Sequence, residues 1–324
     1  MALDKIVSGR IAEPMRVLVH GIEGVGKSTF AAGAPAPVFV DIEGGTSRLN
    51  VKRFPRPETW LDVMEALAIL TNGEHAYETL VIDTIDALEA LNWHYLCASK
   101  RDRSGKPYGS IEDFGYGKGY TAALDLWRQF VTALDRLRDK RRMHVVLVAH
   151  SWIKAFKNPA GDDFDRYELK LHAKASGFLR EWCDAVLFAT HETHTYEANG
   201  RTKGIMSGAR VVHTERCAAW DAKNRYDLPP KLALDWLSFA EAVDAQAPDD
   251  PARLRKRIER MLGELAPHKP DLAEQVAASA EAAGDNAAEL ARIANKLAAA
   301  VSAAHDDEDE DNDDTDAAAA SEGQ

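Results

Sequence analysis

A glycine-rich run near the start of the chain ends in adjacent lysine and serine residues, a composition suited to binding phosphate. Residues 21–28 read Gly-Ile-Glu-Gly-Val-Gly-Lys-Ser and match the pattern G-x-x-x-x-G-K-[ST] at every fixed position. Apolar residues 15–19 precede the run and helix-compatible residues 29–34 follow it, the strand–loop–helix context that the pattern requires. Glycines let the backbone bend so that successive N–H groups point at one anion. The run therefore predicts a site for a nucleoside triphosphate.

The side chains at the end of this run have separate predicted roles. Lys27 supplies a long cation for the β- and γ-phosphates, and the Ser28 hydroxyl supplies a ligand for Mg²⁺. A nucleoside triphosphate and Mg²⁺ are accordingly expected at the loop, and the family resemblance given below implies that the nucleotide is ATP. The alternative, a glycine-rich turn that binds nothing, is disfavoured because every fixed position of the pattern is present. The expected nucleotide-binding residues are Gly21, Ile22, Glu23, Gly24, Val25, Gly26, Lys27, Ser28 and Thr29.

Asp83 is the expected second anchor for the metal ion. It comes at the end of an apolar segment, residues 78–84, that reads as a buried strand. A carboxylate at the end of such a strand can hold Mg²⁺ through water while Ser28 holds it directly. The alternative is an ordinary helix-capping aspartate, and its position downstream of a phosphate loop favours the metal role.

Two further residues follow predicted strands and are candidates for catalysis. Glu43 comes after the strand at residues 37–40, from where a carboxylate can orient and polarise a water molecule in line with the γ-phosphate. His150 ends the strand at residues 143–150, where it can hydrogen-bond the γ-phosphate and signal its presence to the following segment. A loop acid and a satisfied strand-end histidine are the alternatives.

The segment after His150 combines cations with aromatic rings. Residues 151–174 alternate partly and contain a Pro-Ala-Gly-Asp turn, which predicts a hairpin or a loop that orders on binding. Rings that stack on bases, together with cations that follow phosphates, suit single-stranded nucleic acid, and a hairpin with a solvated face is the alternative. The candidate DNA-binding residues are Trp152, Lys154, Phe156, Lys157, Arg166, Lys170 and Lys174.

Lys223 and Arg225 form another basic pair. They are two positions apart in a segment that reads as extended, so both side chains point to one side of the chain. Cations directed at the γ-phosphate of a neighbouring subunit are one way in which an oligomeric ATPase couples its subunits. A surface ion pair is the alternative.

The predicted elements indicate an α/β fold. Strands alternate with helices in the first half of the chain, which implies a parallel sheet, and short hairpin-linked strands in the second half imply an antiparallel extension. A polar segment at residues 100–119 reads as a mobile loop. The predicted helices are residues 57–70, 85–99, 120–140 and 229–243. The predicted second-half strands, around a turn at Asn199 and Gly200, are residues 184–189, 193–198, 203–206 and 209–214.

Composition divides the chain into three parts. Residues 1–245 hold the motifs and most aromatic residues, and are expected to form the ATPase core. Residues 246–304 are rich in alanine and charge, and are expected to form a small helical extension. Residues 305–324 form an acidic tail of low complexity that is expected to be disordered. The net charge of the chain is −12, and residues 306–316 contribute nine negative charges to it. The remainder of the chain therefore carries a net charge of only −3, and basic patches on it can still bind phosphates.

The location expected from composition is the cytoplasm. The sequence has no run of about eighteen apolar residues, so no membrane span and no membrane partner are predicted. The three cysteines, Cys97, Cys183 and Cys217, are far apart and suit a reducing compartment.

Taken together, residues 14–243 resemble the core of RecA-like P-loop ATPases, and within that group the phage-type single-strand annealing and recombination ATPases. The match runs through the phosphate loop, Glu43 in an acid-x-Glu element, and Asp83 followed by Thr84. His150 occupies the position of the γ-phosphate sensor. Residues 151–174 fall where the family has its second DNA-binding loop. Residues 223–225 resemble its basic-Asn-basic element, which reaches the ATP of a neighbour.

The resemblance implies a RecA-like fold with a mixed, mainly parallel central sheet flanked by helices. It also implies an ATPase, with DNA-stimulated hydrolysis at a subunit interface, that binds single-stranded DNA and promotes annealing or strand exchange. The expected partners are single-stranded DNA, further copies of the chain in a filament or ring, and a single-strand-binding protein. A helicase loader, a regulatory RecA-like ATPase and an ATP-gated DNA-binding module with negligible turnover are the alternatives.

Overall fold

The structure, a computed structural model, describes residues 13–159, 161–198, 201–245 and 251–301. These residues form two compact units, one within residues 12–246 and the other within the chain that follows. The turn predicted at Asn199 and Gly200 and the acidic tail predicted at residues 305–324 lie outside the described residues. Among the described helices none is long and apolar enough to cross a membrane.

A sheet of ten strands forms the centre of the first unit, and its strands are mostly parallel. The order along the sheet is β10-β8-β7-β1-β5-β4-β2-β3, with β6 paired to β5 and β9 paired to β7. The strands are β1 (Arg16–Gly21), β2 (Pro37–Asp41), β3 (Lys52–Arg53), β4 (Thr79–Asp83), β5 (His144–Phe156), β6 (Phe164–Leu169), β7 (Ala185–Ala198), β8 (Arg201–His213), β9 (Lys223–Asn224) and β10 (Lys231–Ala233).

The six strands from β7 to β3 pair in parallel, whereas β6, β8, β9 and β10 pair antiparallel to their neighbours. The predicted fold class, an α/β fold with a mixed and mainly parallel central sheet flanked by helices, is therefore confirmed. Strand β4 is buried along its whole length, as expected for a parallel strand covered by helices on both faces.

Eight helices have complete bounds in the described chain. Local sequence explains several starts: α2 begins after a capping box of Thr59 and Asp62, and Thr84 caps α3 by accepting the Ala87 N–H. The helices are α1 (Lys27–Ala32), α2 (Trp60–Asn72), α3 (Ile85–Ser99), α4 (Lys118–Arg141), α5 (Ala173–Trp182), α6 (Trp236–Ala245), α7 (Pro251–Leu265) and α8 (Pro270–Ala282).

Helices cover both faces of the sheet and bury a separate apolar cluster on each. On one face, the Trp127 ring on α4 packs edge-on against the Trp60 ring on α2, with 5.8 Å between centroids. On the other face, Phe30 on α1 contacts Trp236 and Phe239 on α6. These clusters hold the helices against the strands and so fix the loops at the strand ends.

The second unit is helical. Helices α7 and α8 and the helical residues 287–301 share an apolar cluster that contains Ile258, Met261, Leu290 and Leu297. The small helical extension predicted at residues 246–304 corresponds to these segments, although residues 246–250 and 302–304 lie outside the described chain.

Strand β5 is longer than predicted. It was expected to end at His150, but it runs on to Phe156 because β6 pairs with it from Ser151 onward, after its pairing with β1 has ended. The hairpin predicted within residues 151–174 is present, and its paired part ends at Leu169. Helix α5 follows and was not predicted, so Lys174 lies on a helix rather than in the hairpin.

Other boundaries also differ from the sequence-based expectations. The helix predicted at residues 229–243 is wrong in its first half, because Lys231–Ala233 pairs with β8 and the helix begins only at Trp236. The four short strands predicted after residue 184 are two long strands, β7 and β8, with an irregularity in register between His191 and Thr193.

The segment predicted as a mobile loop, residues 100–119, contains local structure. Asp102 accepts backbone N–H groups from Ser104 and Lys106, and a short 3-10 helix spans Ile111–Phe114. Side chain-to-backbone hydrogen bonds of this kind stabilise turns that a polar composition alone does not reveal.

Lys223 stabilises the end of helix α5. Its Nζ donates to the carbonyl oxygens of Arg180 (3.0 Å), Glu181 (2.9 Å) and Cys183 (2.6 Å). The last carbonyl groups of a helix have no partner within the helix, and a lysine can satisfy them. The basic residue thus joins β9 to α5 within one chain.

We predict that Lys223→Met lowers the free energy of unfolding by about 1–2 kcal/mol, because three carbonyl groups lose a charged donor. Equilibrium urea denaturation measures the change. Lys231→Met is the matched control, since Lys231 is exposed and pairs with Glu192 at the surface. Equal stability of the Lys223→Met protein and the wild type would contradict the capping role.

Candidate nucleotide-binding site

The phosphate loop connects β1 to α1 at the carboxyl edge of the parallel sheet. Gly21 is the last residue of β1, and a methyl group on it would lie 2.2 Å from the Ala189 carbonyl oxygen of β7. Gly26, with φ 109°, has the left-handed conformation that favours glycine. The glycines therefore serve both the close approach of β7 and the bend of the loop. All nine predicted nucleotide-binding residues lie in this loop or in the first turn of α1.

Lys27 is buried against the loop backbone. Its Nζ donates to the carbonyl oxygens of Gly21 at 2.9 Å and Ile22 at 2.7 Å. Burial lowers the pKa of its ammonium group, while Asp83 and Glu23 raise it. The charge is therefore held at the loop at a desolvation cost, which a bound polyphosphate would offset.

Ser28 and Asp83 meet as the sequence predicted for a metal site. The Ser28 Oγ donates to Asp83 Oδ2 at 2.6 Å, across the gap between α1 and the end of β4. Burial raises the pKa of Asp83 to about 6, against the hydrogen bond from Ser28. Hydroxyl and carboxylate oxygens are hard donors of the kind that Mg²⁺ takes, so these two residues fit the ion that the phosphate loop implies.

Glu43 lies at the same edge of the sheet. The Thr84 hydroxyl donates to Glu43 Oε1 at 2.9 Å, which orients the carboxylate towards the end of β4. The turn that carries Glu43 is fixed by the buried Asp41, whose carboxylate accepts the N–H groups of Gly44 (2.7 Å) and Thr46 (3.0 Å). The partly exposed carboxylate thus stands on a rigid turn.

His150 lies directly beside the phosphate loop. It pairs with Gly21 in the register of β1 and β5. Its backbone N–H donates to Asp86 Oδ1 at 2.9 Å, and its Nδ1 lies 3.0 Å from Asp86 Oδ2. Since an ionised carboxylate only accepts, Nδ1 carries the proton and Nε2 faces away from Asp86. The hydrogen bond that His150 donates to Asp86 raises the pKa of His150.

Glu43, Asp86 and His150 form a compact charge cluster. The Nδ1 of His150 is 3.5 Å from Glu43 Oε1, and ligand atoms of all three lie within 4.8 Å of one another. Burial raises the pKa of Asp86, but hydrogen bonds from His150 more than offset this and hold it below its ordinary value. The histidine is hydrogen-bonded to Asp86 and lies within ion-pair distance of Glu43.

The hairpin of β5 and β6 exposes part of its predicted DNA-binding set. Trp152 is 44% exposed and Ile153, beside it, is 62% exposed. The Lys154 ammonium lies 5.6 Å from the centre of the Trp152 ring. Because alternate residues of a strand share a face, Trp152, Lys154 and Phe156 lie together on one side of β5.

The remaining members of that set lie in different surroundings. Arg166 is buried, and its guanidinium pairs with Asp221 at 3.3 Å. Lys157 pairs with Asp163 at the hairpin turn. Lys170 is exposed just past β6, and Lys174 on α5 donates to the Thr121 hydroxyl of α4 at 2.5 Å. The exposed cationic and aromatic surface is therefore centred on Trp152 and Lys154.

A second carboxylate of α3 holds the far end of the hairpin segment. The buried Glu89 accepts the backbone N–H of His172 at 2.9 Å, one helical turn beyond Asp86. Burial raises the pKa of Glu89 to about 7. Helix α3 thus contacts the chain on both sides of the hairpin, at His150 and at His172.

The basic pair predicted to reach a neighbouring subunit is engaged within its own chain. Lys223 caps α5, as described above, and Arg225 Nη1 lies 3.2 Å from Asp184 Oδ1. Arg16 binds the same carboxylate through two hydrogen bonds of 2.9 and 2.6 Å. The Arg225 side chain is half-exposed and the more accessible member of the pair.

Sequence reasoning did not single out Asp41, Asp86 or Glu89 as positioning residues. Asp86 and Glu89 are three residues apart in the first turns of the helix that follows Asp83. This spacing places both carboxylates on one face of the helix, and it is the pattern from which their shared role could have been predicted. The partners of these carboxylates are backbone N–H groups and His150, which sequence spacing does not identify.

The comparison with curated proteins gives no match. The crystal structure of the flagellar accessory protein FlaH from Methanocaldococcus jannaschii is similar with a TM-score of 0.34 and 12% identity, over 71% of this chain and 88% of that chain. Residues 13–226, about two thirds of the chain, match the AAA domain family AAA_24. The protein therefore belongs to the AAA domain family, which is a family of P-loop ATPases.

Proposed function

We propose that the protein is an ATP-dependent recombination protein that binds single-stranded DNA and promotes annealing or strand exchange. The observation that carries the proposal is the course of β5. This strand pairs with the strand before the phosphate loop, presents His150 beside that loop, and continues without a break into the hairpin with exposed Trp152 and Lys154.

In this proposal the residues around the loop bind and orient the triphosphate. Loop N–H groups and Lys27 hold the phosphates, and Ser28 and Asp83 hold Mg²⁺. The metal ion, when bound, supplies positive charge to the phosphate oxygens. Glu43, kept in place by Thr84 and the turn around Asp41, orients and polarises the attacking water.

His150 connects the nucleotide to the hairpin. Its Nδ1–H is committed to Asp86, which leaves Nε2 to contact the γ-phosphate. In the protonated ring, which Asp86 favours by raising the pKa of His150, the Nε2–H donates to a γ-phosphate oxygen. A change in that contact displaces β5 at His150, the residue immediately before the hairpin pairing begins. Nucleotide binding and hydrolysis therefore alter how the hairpin is held.

The hairpin supplies the DNA contact through stacking more than through charge. Four basic residues in residues 151–170 are balanced by four acidic ones, so the segment is neutral as a whole. Bases stack on Trp152 while Lys154 contacts the adjacent phosphate, an arrangement that tolerates any sequence. The proposal includes self-assembly into a filament or ring on the DNA, alongside a single-strand-binding protein.

We predict that Lys27→Ala and Glu43→Gln both abolish most ATP hydrolysis, but at different steps. Lys27→Ala weakens nucleotide binding because the phosphates lose their main cation. Glu43→Gln leaves binding intact and lowers turnover by at least about a hundredfold, since a general base typically contributes that much.

Phosphate release measured with and without oligodeoxythymidine tests these variants, and calorimetry with Mg–ATP measures binding. Lys52→Ala is the control for lost charge, since Lys52 is exposed on β3. Wild-type turnover in Glu43→Gln would refute the assignment of the water-orienting residue. Turnover unaffected by the oligonucleotide would favour a helicase loader or a regulatory ATPase instead.

We predict that Trp152→Ala weakens binding to oligodeoxythymidine about tenfold, because base stacking on one aromatic ring contributes about 1–3 kcal/mol. Lys154→Ala weakens binding to the oligonucleotide more at low salt than at high salt, as expected for a phosphate contact. Fluorescence anisotropy with a labelled oligonucleotide measures both effects.

The matched control is Leu61→Ala, because Leu61 is an exposed apolar residue on α2 with 55% of its surface accessible. Basal ATP hydrolysis is expected to stay at the wild-type rate in all three variants. Unchanged DNA affinity in Trp152→Ala would reject the hairpin as the binding surface. DNA binding without measurable turnover in the wild type would favour the ATP-gated binding module.

A further inference from the structure

One arginine outside every recognised motif lies against the phosphate loop. Arg210 is on β8, and a methyl group placed on Gly26 would lie 3.1 Å from Arg210 Nη1 and 3.6 Å from its Cδ. The same methyl group would lie 3.7 Å from Leu234 Cδ2. The guanidinium is therefore the part of Arg210 closest to the loop, with an apolar side chain next to it.

The sheet holds these two residues in place. Arg210 pairs with His191 in the register of β7 and β8, and its carbonyl oxygen accepts the Leu234 N–H at 2.9 Å. Leu234 follows β10, whose strand pairing with β8 ends one residue earlier. The position of the arginine follows from strand pairing and does not depend on a flexible surface loop.

The described residues provide no counter-ion for the charge of Arg210. Within the described part of the chain, Arg210 is exposed and its guanidinium has no hydrogen bond or ion pair, while the carboxylate of Glu192 pairs with Lys231. Lys27 already places one cation at the same loop. Two positive charges at one short loop repel each other unless an anion lies between them.

We propose that Arg210 is a nucleotide-binding residue that contacts the phosphates of ATP on the Gly26 side of the loop, with Leu234 contacting the nucleoside. This inference rests on the proposed function, because it extends the same ATP site. A guanidinium is suited to phosphate by its planar fork of donors. The aliphatic part of Arg210 and Leu234 form an apolar surface beside it for the ribose and base.

The two contacts are separable by ligand. Tripolyphosphate has the phosphates of ATP and lacks the nucleoside, so it reports on the guanidinium alone. Calorimetry on the full-length protein with Mg²⁺ and either ligand gives both affinities. We expect Arg210→Gln to weaken ATP and tripolyphosphate about tenfold each, in line with the loss of one charge-assisted hydrogen bond. Leu234→Ala weakens ATP and leaves tripolyphosphate unchanged.

Kinetics provides a second readout. A residue that binds the phosphates equally in substrate and transition state raises KM when it is lost and leaves kcat within about twofold. Arg210→Lys restores part of the affinity because it keeps the charge. Arg136→Gln on α4 is the control, since Arg136 is exposed on a helix away from the loop.

The outcomes distinguish this inference from the function on which it rests. Wild-type affinity for ATP in Arg210→Gln, with binding still dependent on Lys27, would overturn the role of Arg210 and leave the ATP site standing. Equal loss of tripolyphosphate affinity in Leu234→Ala would overturn the nucleoside contact. No ATP binding by the wild type would overturn both proposals. Denaturation midpoints of the variants equal to the wild type show that the fold is intact.

Discussion

The pairing of β5 with β1 constrains the site more than any other contact. Gly21 at the end of β1 pairs in register with His150 on β5, so the start of the phosphate loop and the histidine lie side by side at the carboxyl edge of the sheet. The backbone approaches β7 closely at Gly21 as well, which leaves no room for a side chain there. Because parallel strands end at a common edge, Asp83 and the turn carrying Glu43 arrive beside them.

Around this edge, carboxylates act mainly by holding other groups. Asp41 fixes the turn of Glu43, Asp86 fixes the ring of His150, and Glu89 fixes the chain after the hairpin. Two of them are on one face of α3. The helix that follows Asp83 therefore touches both ends of the hairpin segment, which gives a physical route from the phosphate loop to the exposed Trp152.

Much of this arrangement could be predicted from the sequence, because it depends on local patterns. The phosphate loop, the buried strands that lead to Asp83 and to His150, and the alternation of strands with helices are all readable from residue types and spacing. The hairpin after His150 was also predicted, as were the meeting of Ser28 with Asp83 and the mixed sheet.

The parts that were not predicted depend on contacts between distant residues. The end of β5 could not be read from its own residues, because it is set by pairing with β6. Lys223 was expected to contact a neighbouring subunit. It lies instead beside the end of α5, a helix that was not predicted, and donates three hydrogen bonds to carbonyl oxygens there. Arg166 looked like a DNA contact, yet Asp221, more than fifty residues further along the chain, lies next to it in a buried position.

We propose that the hairpin responds to bound nucleotide through His150. Hydrogen–deuterium exchange of the Glu43→Gln protein tests it most directly, because slow hydrolysis keeps ATP bound. On addition of Mg–ATP, we expect altered exchange at the phosphate loop and also at the hairpin amides of β5 and β6, and loss of the hairpin effect when Asp86→Asn is added. Protection of the phosphate loop with no change in the hairpin would contradict the account.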